Sequence, residues 1–141
     1  MIVLDTNVVS GIMQAAPDRA LVRWLDSRRL SDLWVTSITM MEVTLGVELL
    51  AHGRRRRQIA EAFRSLLDET LGGRVLPFER NAAEKSAEFT AQRRRDGRPI
   101  EFRDAEIAGI VAARDATLAT RNVRDFANLS IAIQDPWRTA G

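Results

Sequence analysis

No cysteine and no tyrosine occur in the 141 residues, and histidine and lysine occur once each, as His52 and Lys85. Without cysteine there are no disulfides, no thiolate-bound zinc and no thiol nucleophile, which suits a reducing compartment. A single histidine excludes acid–base chemistry by a histidine pair and leaves one candidate for a Ser–His–Asp arrangement. No apolar run is long enough to span a bilayer. The N-terminus has no basic segment followed by a long apolar one, so no signal peptide is expected. The expected location is the cytoplasm, with no membrane partner. For an enzyme, carboxylates and a metal ion are the tools that remain.

Apolar residues make up 45% of the chain, enough for one sizeable core and one globular domain over 1–141. The net charge is only +2, yet the sequence pI is about 10.3. The two agree because 20 of the 21 basic residues are arginine, which titrates very high. Two readings fit this bias. Arginine pairs with phosphate and stacks on bases, which suits a nucleic-acid partner; a GC-rich coding sequence replaces lysine everywhere with the same result.

Short apolar runs alternate with helical patterns. Strands are expected at Ile2 to Leu4, Leu33 to Val35, Val75 to Phe78, Thr117 to Ala119 and Ser130 to Ile133. Helices are expected from Asn7 to Met13, after Pro17-Asp18, from an N-cap at Ser37 to a stop at Gly53, from Arg54 to Gly72-Gly73, from Asn81 to Arg95, and from Phe102 to Ala116. This alternation predicts an α/β fold with a mostly parallel sheet covered on both faces. In such sheets the site lies at the carboxyl ends of the strands.

Four acids stand at those places. Asp5 directly follows the first strand. Glu42 falls within the apolar stripe Ile38, Met41, Leu45, Leu49 of a helix that is apolar on two sides and expected to be largely buried. A carboxylate there costs several kcal/mol unless it is paired, protonated or metal-bound; an arginine partner is the alternative. Asp104 opens a helix along the face of Ile107, Ala108 and Val111, where complementing the helix dipole is the alternative role. Asp125 follows a strand exit in Asn122-x-x-Asp125, which also fits a capping box. Four carboxylates converging on one sheet edge would repel by roughly 4 kcal/mol per pair at 4 Å and an effective dielectric near 20. A hard divalent ion, Mg²⁺ or Mn²⁺, offsets that repulsion through oxygen ligands.

The segments "IVLDTNVVS", "TSITMMEVTLGV", "RDAEIAGIVAA" and "LATRNVRDF", in this order, resemble those of PIN-domain ribonucleases. More narrowly, they resemble the VapC-type toxins of bacterial toxin–antitoxin pairs. The resemblance implies a Rossmann-like three-layer α/β/α fold and Mg²⁺- or Mn²⁺-dependent endoribonuclease activity. By position it implies Asp5 as the central metal ligand, Glu42 and Asp104 in the same cluster, and Asp125 holding a second metal or a metal-bound water. Thr6, Asn7, Thr120 and Asn122 match the supporting polar residues. A homodimer and a small antitoxin partner filling the active-site groove are further implications.

RNA contacts are expected from Arg93, Arg94, Arg95, Arg98 and Arg103, which flank the loop leading to Asp104. The run Arg54 to Arg57 spreads around its helix and reads mainly as a solvated helix start. Trp24, Trp34 and Trp137 read as core or interface, and His52 as a surface residue near a helix end. Two rival readings stay open. An aspartate-nucleophile phosphohydrolase would need Asp-x-Asp, and here Asn7 stands in the second place. An inactive PIN-like module that binds RNA or protein would be expected to have lost an acid, and all four are present.

Overall fold

The structure is a computed structural model and describes residues 1–138. Five short strands, β1 (Ile2–Leu4), β2 (Leu33–Thr36), β3 (Val75–Leu76), β4 (Thr117–Ala119) and β5 (Ala132–Gln134), form a parallel sheet in the order β3-β2-β1-β4-β5. Six helices cover it: α1 (Thr6–Ile12), α2 (Arg19–Asp26), α3 (Ser37–Glu48), α4 (Arg54–Ser65), α5 (Arg80–Arg95) and α6 (Phe102–Ala113).

Successive strand residues point to opposite faces, and the two cores follow that alternation. Val3, Leu76 and Leu118 pack with Phe89, Ile107, Ile110 and Val111 of α5 and α6. Leu4, Val35 and Ala119 pack with Val8, Val9, Leu21, Trp24 and Phe63 on the α1, α2 and α4 side. The result is the expected three-layer α/β/α arrangement. On one side α5 and α6 run so close that a Cβ at Gly109 would lie 2.4 Å from the Ala82 carbonyl oxygen.

Strand order reverses between β1 and β4, the two neighbours at the centre of the sheet. A crevice at the carboxyl ends forms at such a switch point. Asp5 leaves β1 there, and Thr120 leaves β4 beside it.

Several boundaries differ from expectation. Thr36, not Ser37, caps α3, its hydroxyl accepting from the Thr39 amide at 3.1 Å. That helix ends at Glu48 with Leu49 as its C-cap, short of Gly53. α6 stops at Ala113, and Asp115 turns the chain with φ 50°. β3 is only two residues long, and β5 lies slightly beyond its expected position.

The expectation that α3 is largely buried is corrected. Met41, Leu45 and Leu49 are 47%, 41% and 77% exposed. Met40 and Val43 pack on the α1–α4 core, Val47 is buried, and Ile38 and Thr39 are buried at the start of the helix. Of the stripe Ile38, Met41, Leu45, Leu49, only Ile38 reaches a core, on the α5–α6 side, and the other three face outward. Among the described residues, no helix is long and apolar enough to cross a membrane.

Candidate active site

Asp5 is 4% exposed and both of its carboxylate oxygens are engaged. Oδ1 accepts from the Thr6 amide at 2.8 Å, which makes Asp5 the N-cap of α1. Oδ2 accepts from the Thr120 hydroxyl at 2.7 Å and from Asn7 Nδ2 at 3.0 Å. The strand exit, the cap and the neighbouring strand's exit thus hold one carboxylate without rotational freedom. Burial pushes its pKa up, and the Thr120, Thr6 and Asn7 hydrogen bonds oppose that rise. Asn7 therefore supports Asp5 as a donor. It has no carboxyl proton to give, which removes the general acid that an aspartate-nucleophile enzyme needs.

Thr6 links Asp5 to Glu42. Its hydroxyl donates to Glu42 Oε1 at 2.9 Å. Glu42 Oε2 lies 3.7 Å from Arg103 Nη1. Glu42 therefore has an arginine neighbour, the alternative reading, and it also lines the cleft. With Arg103 41% exposed, the ion pair is weak. Arg103, expected on RNA, thus stands beside this acid.

Asp104 stands in the first turn of α6 and also lines the cleft. Its carboxyl is pushed up to about 7, first by burial and then by the charges of Asp5, Glu101, Asp125 and Glu42. That response places all four expected acids within electrostatic reach of one another, with Glu101 as a fifth. The signal for Glu101 in the sequence is its place three residues before Asp104.

A cleft of about 630 Å³ collects Asp5, Thr6, Asn7, Glu42, Asp104 and Asn122 on its walls. Thr120 stands behind Asp5; its oxygen also accepts from the Asn122 amide at 3.0 Å. Asp125 lies in an adjoining depression, which shares Asp104 with the cleft and also contains Glu101, Arg98 and Arg124. The capping-box alternative for Asp125 does not form, because the Asn122 side chain makes no cap bond. Among the described residues, no three carboxylates or histidines already stand in metal-holding geometry. Asp5, Glu42 and Asp104 line one cleft, and Glu42 is held there by Thr6 with Arg103 nearby. The donor set is all oxygen, the kind that suits a hard divalent cation.

The expectation of RNA contact by Arg93 is corrected. It is 6% exposed, and Nη2 donates to the carbonyls of Asp125 and Ala127 at 2.8 and 2.7 Å. It fixes the segment that carries Asp125. Arg94 and Arg95 are exposed on another face, along a groove with Phe78 and Phe102. His52 is exposed, as expected. Sequence reasoning missed Arg121, Trp137 and Arg124. Arg121 lies between Thr120 and Asn122, which was its only signal; Trp137 is remote in sequence and reaches the cleft through the fold alone.

A doubly wound parallel sheet with an acid-lined cleft at its switch point defines the class: an α/β protein whose chemistry is built on carboxylates. The family model described as PIN domain matches residues 2–131, and the chain belongs to that family. It is 35% identical over 140 residues to VapC ribonuclease Y4jK of Sinorhizobium fredii, covering 99% of this chain and 100% of that one. It is 34% identical to Toxin FitB of Neisseria gonorrhoeae, over 97% and 99% of the two chains. A solved chain of FitAB bound to an IR36 DNA fragment superposes with a TM-score of 0.90 at 33% identity, covering 100% of this chain and 99% of that one.

Proposed function

We propose that this chain is the toxin of a toxin–antitoxin pair and acts as a Mg²⁺- or Mn²⁺-dependent endoribonuclease. The observation that carries the reading is the convergence of Asp5, Glu42 and Asp104 on one cleft at the sheet's switch point, with Asp125 beside them. Relatives named as a ribonuclease and as a toxin, matched over nearly the whole chain, support it.

Asp5, Glu42 and Asp104 would hold the ion, and Asp125 a second one or its water. A bound ion of this kind supplies a water of lowered pKa and stabilises charge on the attacked phosphate. The chain itself holds Asp5 immobile through Thr6, Asn7 and Thr120. It holds Glu42 toward the cleft through Thr6, and Asp125 through the Arg93 brace on its backbone. No side-chain nucleophile is needed, in keeping with the absence of cysteine and tyrosine, and His52 does not line the cleft.

The outward stripe Met41, Leu45, Leu49 supports a protein partner, and the reading assigns the chain a homodimer and a cognate antitoxin. Purified chain incubated with total RNA, with Mg²⁺, Mn²⁺ or EDTA, tests the activity once the cut ends are mapped. Ends with 5′-phosphate and 3′-hydroxyl that form only with metal are expected. A 2′,3′-cyclic phosphate, or full activity in EDTA, refutes the mechanism. RNA binding without cleavage under any metal points instead to an inactive PIN-like module.

A further inference from the structure

A cleft that receives a polyanion needs a cation on its wall. Among the described residues lining this one, four are acids (Asp5, Asp18, Glu42 and Asp104), and Arg121 is the one base. The Arg121 guanidinium lies over the Trp137 ring, 5.0 Å from its centroid.

Both partners are built into place. The Arg121 amide donates to Asn7 Oδ1 at 3.1 Å, and Asn7 Nδ2 donates to Asp5 Oδ2. One side chain therefore joins the backbone of Arg121 to the central carboxylate. Trp137 is seated from the other side. Its amide donates to Asp135 Oδ1 at 2.9 Å. Its ring lies so close to α1 that a Cβ at Gly11 would meet Cζ2 at 2.9 Å. The bare backbone at Gly11 is what admits the indole. A long, flexible cation is thereby held flat against an aromatic wall, with less entropy to lose on binding.

We propose that Arg121 binds the substrate RNA phosphate flanking the one that is cut, and that Trp137 is the positioning residue that holds its guanidinium ready. This rests on the ribonuclease reading above and adds the residue that offsets the cleft's negative charge for a single-stranded RNA. The planar guanidinium suits bidentate phosphate contact, which lysine does not reproduce.

The test uses the full chain with Mn²⁺ and a labelled, randomised single-stranded RNA pool, measuring initial rates across a salt series. Arg121→Ala is expected to raise KM about tenfold with a smaller change in kcat. It should also flatten the salt slope by roughly 0.7, the value for one single-strand phosphate contact. Arg121→Lys should restore the slope but not the KM. Trp137→Phe should raise KM about two- to threefold with the slope unchanged, because the charge remains and only its support weakens. Arg114→Ala, an exposed arginine at the far end of α6, should match wild type. Wild-type cleavage with KM and slope unaltered in Arg121→Ala overturns the inference and leaves the ribonuclease reading standing. Absence of cleavage by the wild type overturns both.

Discussion

Asp104→Asn probes the electrostatics of the cleft most directly. The Asp104 carboxyl is raised from an ordinary 3.8 to about 7 by burial and by the acids around it. A carboxyl of this kind holds its proton more tightly in the folded chain than in the unfolded one. Its contribution to stability is complete below pH about 4 and is lost as pH rises through 7. Taken whole, a shift of about 3 pH units amounts to roughly 4 kcal/mol. Asp104 is only half-buried, so solvent screening brings this to about 1–2 kcal/mol. Asparagine keeps the shape and has no charge to develop. In EDTA, the variant and wild type should be equally stable at pH 4, and the variant more stable by about 1–2 kcal/mol at pH 8. Urea unfolding followed by tryptophan fluorescence at pH 4, 6 and 8 measures both, and the difference between the proteins isolates this group. With Mn²⁺ at a hundred times its Kd the wild type gains roughly 2.7 kcal/mol, and the order at pH 8 should reverse. Parallel stability curves for the two proteins across this range would refute the reasoning, since Asp104 would then not sense its neighbours.

Asp5→Asn keeps the cap to the Thr6 amide but turns a donor toward Asn7 Nδ2. That conflict costs about 1–3 kcal/mol and is offset by removing a buried charge, so metal-free melting should stay near the parent's, while metal stabilisation and RNA cleavage are lost. A metal-free variant that is already unfolded would show that Asp5 serves α1 first and the cleft second. Arg93→Ala removes the donor to the part-buried carbonyls of Asp125 and Ala127 and should cost about 1–3 kcal/mol by chemical denaturation, whereas Arg94→Ala and Arg95→Ala should stay within about 0.5 kcal/mol. Gly109→Ala forces a Cβ against the Ala82 carbonyl oxygen and should destabilise by about 2–3 kcal/mol. Gly46→Ala, on α3 with nothing within 4 Å of the new Cβ, should be neutral or stabilising by up to about 1 kcal/mol. Thermal melts of the two glycine variants compare a tight helix contact with an open one.

The local signals in the chain were sufficient for the architecture. Ile2 to Leu4 and Thr117 to Ala119 are apolar runs too short for helices, and their alternation with helical periods admits little but a parallel sheet with two covered faces. Once strand exits are located, Asp5 is found as well, because side-chain chemistry at a strand's end depends on the residues adjacent to it; Thr120 was indicated by the family resemblance. Glu42 and Asp104 were legible for a similar reason: an acid on an apolar helical face stands out against its own period. What periodicity does not carry is which of two apolar faces finds a core. Met41, Leu45 and Leu49 share their spacing with the buried Ile38, yet only Ile38 finds a core and the other three meet solvent. The arginines show the same limit. Arg93, Arg94 and Arg95 are identical in the sequence, and only the packing of α5 against the segment from Asp125 to Ala127 turns the first inward onto carbonyls and leaves the others outside. Arg121 and Trp137 are sixteen residues apart, and their contact exists because parallel strands β4 and β5 end side by side and the Trp137 ring is seated at Gly11. Pairings between distant segments are set by the sheet's order and by where a backbone leaves room, and these are properties of the assembled fold.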